Sequence, residues 1–134
     1  MPKKKQVFIS YEFNTDCHYK NLLLAWNSNS HFNFHMRDYS ADISVDSMDA
    51  STIKRSISAK INRGNYFMVI VGRSTRKCKW VKWEIAKAKE LKKKIVAVKI
   101  DRRHEAPDEL YGAGAAWAFS FKLDAINNAL KKAQ

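Results

Sequence analysis

The sequence predicts a doubly wound α/β fold: a five-stranded parallel sheet in flavodoxin-like order, covered by helices on both faces. Three observations carry that expectation. The apolar period switches repeatedly between the repeat of a strand and that of a helix. The segment "YFMVIVG" from Tyr66 is continuously apolar, as a central parallel strand must be when both of its faces are covered. A helical crossover separates successive strands, which is the connection that parallel strands need.

The elements follow in order. "VFIS" from Val7 to Ser10 reads as a short buried strand. Asp16 to Asn27 reads as a helix with Asp16 or Thr15 as its N-cap and Tyr19, Leu22, Leu23 and Trp26 facing inward. Phe32 to Arg37 alternates as a second strand. Ser51 to Asn62 sets Ile53, Ile57 and Ile61 on one helical face, with Ser47 or Asp49 available as a cap. After the central strand come a helix over Lys77 to Leu91, a strand from Lys94, and a loop holding Pro107 and "GAGA". A short strand near Ala118 to Phe121 and a final helix from Leu123 complete the fold.

At 134 residues the chain fits one domain spanning 1–134. Hydrophobic residues make up 46%, with only four Gly and two Pro, so a packed core is expected rather than a disordered or fibrous chain. No apolar run approaches the roughly 20 residues that span a bilayer, and "MPKKKQVFIS" passes from lysines directly into a strand. A soluble cytoplasmic protein with no membrane contact is therefore expected, and Cys17 and Cys78 are expected as reduced thiols. No CxxC accompanies the histidines, and His31 and His35 are four apart on a strand, so no metal is expected. A net charge of +12 favours an anionic partner: nucleic acid, a phosphate-bearing small molecule or an acidic protein. The lysines are scattered without an arginine-rich stripe and read as solvated helix faces, so nucleic acid is the least expected of the three.

In doubly wound sheets ligands bind outside the carboxyl ends of the strands. That edge carries "SYEFNTD", "RDYSADIS", "GRSTRKCK" and "DRRHE". Several chemistries of such sheets lack their residues here. There is no GxGxxG, no GxxxxGK[ST] and no GxSxG. The third strand ends "VIVGRS", without the aspartate a phosphorelay receiver needs, and "SYEFNTD" is not a Ser/Thr-rich phosphate loop.

One residue stands out in "KCKWVKWEIAKAKEL". On a helix, Trp80, Val81, Ile85, Ala88 and Leu91 form one apolar arc, and Glu84 falls inside it. Spacing leaves two readings open. Either Glu84 pairs with a cation at the helix margin or gains from the helix N-terminal dipole, or it faces the cleft as a carboxylate with an adjustable pKa.

"VFISY", "RDYSADIS", "KCKWVKWEI" and "KKIVAVKI" resemble the TIR-like domain of bacterial Thoeris anti-phage systems, from Val7 to about Ile100. The most specific part is Trp80 to Glu84, which is similar to the W-x-x-x-E of TIR enzymes, with Val81 standing where many have cysteine. The resemblance implies that Glu84 is catalytic and that NAD is the substrate, with no further cofactor. It implies cleavage of the nicotinamide glycosidic bond, giving an ADP-ribose-derived and commonly cyclic signal that switches on a separate effector protein. It also implies that Ser10 and Tyr11, at the end of the first strand, and Asp38 and Ser40, after the second, line the pocket. Phe13 and Trp80 are expected either to stack on a ring of the substrate or to pack in the core. The loop from Asp38 to Ser51 is acidic and serine-rich, unlike the usual loop of the family. Assembly into a homo-oligomer, in which a neighbouring copy completes the site, stays open, and so does the alternative of a non-catalytic TIR-like interaction module.

Overall fold

The computed structural model describes residues 5–26, 32–36, 45–48 and 50–133. Its centre is β3 (Tyr66–Val71), whose six residues are all buried, as its unbroken apolar run requires. β1 (Lys5–Ser10) pairs with one side of β3 and β4 (Lys94–Lys99) with the other, both parallel. The edges are β2 (Phe32–His35) beside β1 and β5 (Ala116–Ala118) beside β4, which gives the order β2-β1-β3-β4-β5.

Strand alternation divides the core into two layers. Phe8, Phe67, Val69 and Ala97 face one side, where α2 (Ala50–Arg63) and α3 (Lys79–Glu90) cover them with Ile57, Ile61, Val81 and Ile85. Val7, Ile9, Met68 and Val98 face the other, beneath α1 (Phe13–Trp26) and α4 (Leu123–Lys132), which contribute Leu23, Ile126 and Leu130. Burial of these side chains, at about 25 cal/mol per Å² of apolar surface, is the main drive for the two layers to close on the sheet.

Three boundaries differ from the sequence expectation. α1 begins at Phe13, so neither Thr15 nor Asp16 is its cap. Glu12 has that role: its carboxylate accepts from the Thr15 amide and the Thr15 hydroxyl, each at 2.9 Å, and Asp16 is free to turn inward. At α2, Ala50 N–H bonds the backbone carbonyl of Ser47 at 3.1 Å, while the buried Ser47 hydroxyl has no hydrogen-bond partner among the described residues. Asp49, the other expected cap, and Arg37, the expected end of the second strand, lie outside the described residues. β5 is placed two residues earlier than expected because its ladder follows Val96 to Val98 of β4, and Phe119 is half exposed against the Trp117 ring.

α3 ends with Lys92 in the left-handed region, at φ 57°, with the Lys93 amide returning to the Ala88 carbonyl at 3.0 Å. A side chain at this position costs about 1 kcal/mol that glycine avoids. Lys92→Gly is expected to stabilise the fold by up to about 1 kcal/mol, read as a raised denaturation midpoint with an unchanged m-value. Among the described residues no helix is long and apolar enough to cross a membrane.

Candidate active site at the β1/β3 switch point

Ser10 ends β1 and points to the same face as Phe8, two residues earlier, and therefore toward α3. α3 buries Trp80, Val81, Glu84, Ile85 and Ala88, the arc that the helical period marks out. Glu84 has 0% exposure, and the fully buried Ser10 hydroxyl donates to its Oε1 at 2.6 Å. A hydrogen bond this short to a carboxylate is charge-assisted, the stronger kind. Residues 74 positions apart are thereby joined at the carboxyl edge of the sheet. β1 connects onward to β2 on one side and β3 to β4 on the other, so this edge between β1 and β3 is the topological switch point.

The other expected site residues divide. Trp80 is 4% exposed and packs in the α2/α3 core, with its ring edge-to-face on Trp83 at 6.2 Å. Trp83 is half-buried, and the ammonium groups of Lys54 and Lys87 lie 5.6 and 5.7 Å from its ring. Tyr11 follows Ser10 and so turns to the opposite layer, where it is buried and stacks on the half-buried Phe13 at 6.3 Å. Neither aromatic ring shares the layer that holds Glu84. Asp38 and Ser40 lie outside the described residues. An apolar pocket of about 130 Å³, lined by Leu23, Trp26, Phe32, Phe34, Ile126 and Leu130, is also in the α1/α4 layer and is separate from Glu84. Among the described residues no three His, Cys, Asp or Glu side chains gather as a metal site.

Sequence reasoning missed a second buried carboxylate. Asp16, 3% exposed in the first turn of α1, accepts at Oδ2 from the Thr75 hydroxyl at 3.2 Å. The same hydroxyl oxygen accepts from the Gly72 amide at 2.7 Å, in the connection that leads from β3 to α3. A Cβ on Gly72 would lie 2.4 Å from Asp16 Oδ1, so the absence of a side chain there is what admits the carboxylate. The only local signal was an aspartate near a helix start, which is also what a cap looks like.

Burial raises the pKa of Asp16, offset in part by hydrogen bonds from Thr75 and Thr15. A carboxyl whose folded pKa exceeds its unfolded value holds its proton more tightly when folded. Its contribution to stability is full below the ordinary 3.8 and is lost as pH rises through the folded value. Asp16→Asn keeps an acceptor for Thr75 without a charge to desolvate. Thermal melts across the acid-to-neutral range should therefore show the variant no less stable than wild type at neutral pH, and lacking this part of the pH dependence.

A sheet in this order, with a carboxylate seated on the end of β1 at the switch point, defines a TIR-like doubly wound domain. The chain belongs to the TIR-like domain family of the Thoeris protein ThsB, a family of anti-phage defence, whose family model matches residues 8–105. Among curated proteins none matches the chain. Solved structures share its architecture. A 2-deoxyribosyltransferase from the psychrotolerant bacterium Bacillus psychrosaccharolyticus aligns with TM-score 0.66 and 10% identity over 96% of this chain and 92% of that one. A conserved protein from Enterococcus faecalis V583 aligns with TM-score 0.58 and 12% identity, over 77% and 69%. The TIR domains of the activated Roq1 resistosome, which directly recognises the pathogen effector XopQ, align with TM-score 0.49 and 17% identity, over 74% and 60%. At identities this low the first two speak of the fold alone.

Proposed function

We propose that this protein cleaves the nicotinamide N-glycosidic bond of NAD, with Glu84 as the essential carboxylate, and releases an ADP-ribose-derived signal, in its cyclic form, during anti-phage defence. The observation that carries this reading is the full burial of Glu84 on Ser10 at the ligand-bearing edge. A buried carboxylate is costly to the fold, and this one lies where doubly wound sheets bind their ligands.

The chemistry suits such a group. The bond from ribose C1′ to the pyridinium nitrogen breaks with its electron pair going to nitrogen, so nicotinamide leaves neutral and needs no acid. Positive charge develops on the ribose, and a carboxylate held in low dielectric stabilises it or anchors the ribose hydroxyls. Water then adds at C1′ to give ADP-ribose and a proton, or a nitrogen of the adenine adds to close a ring. Ser10 holds one carboxylate oxygen in place, which is preorganisation of the kind that lowers the barrier. Because Glu84 has no solvent exposure, substrate reaches it only when the side chains above it move. No metal or further cofactor is required by these steps.

The remaining roles follow from the family. Residues 1–134 act as one cytoplasmic TIR-like domain, the small product carries the signal to a separate effector protein, and a second copy of the chain completes the site. Asp38 and Ser40 line the nicotinamide side. The test is purified protein with NAD, with and without phage lysate, followed by free nicotinamide and by mass spectrometry of the products. Nicotinamide release with an ADP-ribose-derived product is expected. Intact NAD under every condition, with self-association that survives substitution of Glu84, would establish a non-catalytic interaction module instead.

A further inference from the structure

Glu84 is useful only if α3 is held at the correct height on the sheet edge, and the seven residues Gly72 to Cys78 between β3 and α3 set that height. Four of the hydrogen bonds in this connection make up a link from α1 to α3. Thr75 hydroxyl donates to Asp16, Gly72 N–H donates to that hydroxyl, Cys78 N–H donates to the Thr75 carbonyl at 3.0 Å, and Lys82 N–H donates to the Cys78 carbonyl at 3.1 Å. They form a continuous line from the first turn of α1 to the first turn of α3, and every polar atom in its first two links is buried. Thr75 itself has 0% exposure, and Gly72 is the residue that lets Asp16 reach it.

The Thr75 hydroxyl has one proton and two acceptors within reach, Asp16 Oδ2 and the Ile70 carbonyl, both at 3.2 Å. An ionised Asp16 competes for that proton far better than a neutral carbonyl does. With the Asp16 acceptor removed, the proton is left to Ile70 inside β3, and α1 loosens its hold on the connection. The groups facing Asp16 are Thr15 and Glu12 on its own segment, Thr75 on the connection, and His104 on the turn after β4. His104 has its Nδ1 buried without a hydrogen-bond partner among the described residues, and the turn that carries it adjoins the end of β3 through the Ile100 amide on the Val71 carbonyl, at 3.0 Å.

We infer that Asp16 is a positioning residue, which through Thr75 holds the start of α3 and so keeps Glu84 against Ser10. The inference rests on the NAD-cleaving reading for its catalytic consequence, and on geometry alone for its structural one. Hydrogen exchange by NMR on the full chain separates the two. In Asp16→Ala and Thr75→Val, protection of the Cys78 and Lys82 amides should fall about tenfold, as for loss of a buried hydrogen bond, while amides of β4 keep theirs. Thr75→Ser, which keeps the hydroxyl, should restore wild-type protection.

In turnover of NAD, Asp16→Ala and Thr75→Val should lower kcat by about tenfold to a hundredfold with KM within twofold, the pattern of a misplaced group rather than lost binding. A wild-type protein without turnover would remove the catalytic role of Glu84 and leave the exchange result to decide the role of Asp16. Unchanged protection at Cys78 and Lys82 in both Asp16→Ala and Thr75→Val overturns the inference, whatever the activity. Loss of protection in Thr75→Ser equal to that in Thr75→Val also overturns it, because a hydroxyl would then not be the link.

Discussion

Glu84→Gln is expected to lower NAD turnover by about a hundredfold to a thousandfold, the cost of removing one preorganised electrostatic group from a transition state. Gln has nearly the shape of Glu, and its side-chain oxygen can still accept from Ser10, so the packing of α3 survives. What disappears is a negative charge in a fully buried position beside the end of β1. The fold should hold, because Gln keeps the volume of Glu and an acceptor for Ser10. The predicted pattern is therefore a loss of rate with a melting temperature close to that of wild type. Nicotinamide release measured beside a thermal melt distinguishes this from unfolding. A Gln variant that turns over NAD within twofold of wild type would remove Glu84 from the mechanism.

Trp80→Ala should have the largest effect on stability, about 3–5 kcal/mol, the usual cost of removing a large aromatic side chain from a core. Trp80 is 4% exposed, packs in the layer formed by α2 and α3, and supports Trp83 edge-to-face. Trp80→Phe keeps most of that volume and a ring to meet Trp83, so it should recover more than half of the loss. The pair also tests the stacking role that the sequence left open for Trp80. If the residue packs, the Phe variant retains wild-type KM for NAD at temperatures where it is folded. A KM raised tenfold in a fully folded Trp80→Phe protein would show that the indole meets the substrate.

The contrast between Glu84 and Asp16 shows which parts of the site were legible. A helix repeats about every 3.6 residues, so a carboxylate inside an apolar arc is visible from twelve residues of sequence. Glu84 could be singled out in that way before any coordinate was known. Asp16 gave no such signal, because its partner Thr75 is 59 positions away and its other neighbour is a glycine with no side chain to notice. The direction Tyr11 takes was hidden for the same reason. Sequence placed it beside Ser10 at the end of a strand, which is correct, yet adjacent strand residues point to opposite faces. One of the pair meets Glu84 and the other meets Phe13.

The architecture was legible because it is built from local repeats. The unbroken apolar run of β3, the alternation of strand and helix, and the inward face of α3 are all properties of short segments, and each survives in the structure where the pattern put it. What only tertiary structure decided is which distant residues meet: Ser10 with Glu84, Asp16 with Thr75 beneath Gly72, and Trp80 with the core of the α2/α3 layer. Such meetings depend on strand order and on the direction each side chain takes from its strand or helix, and no single segment carries that information.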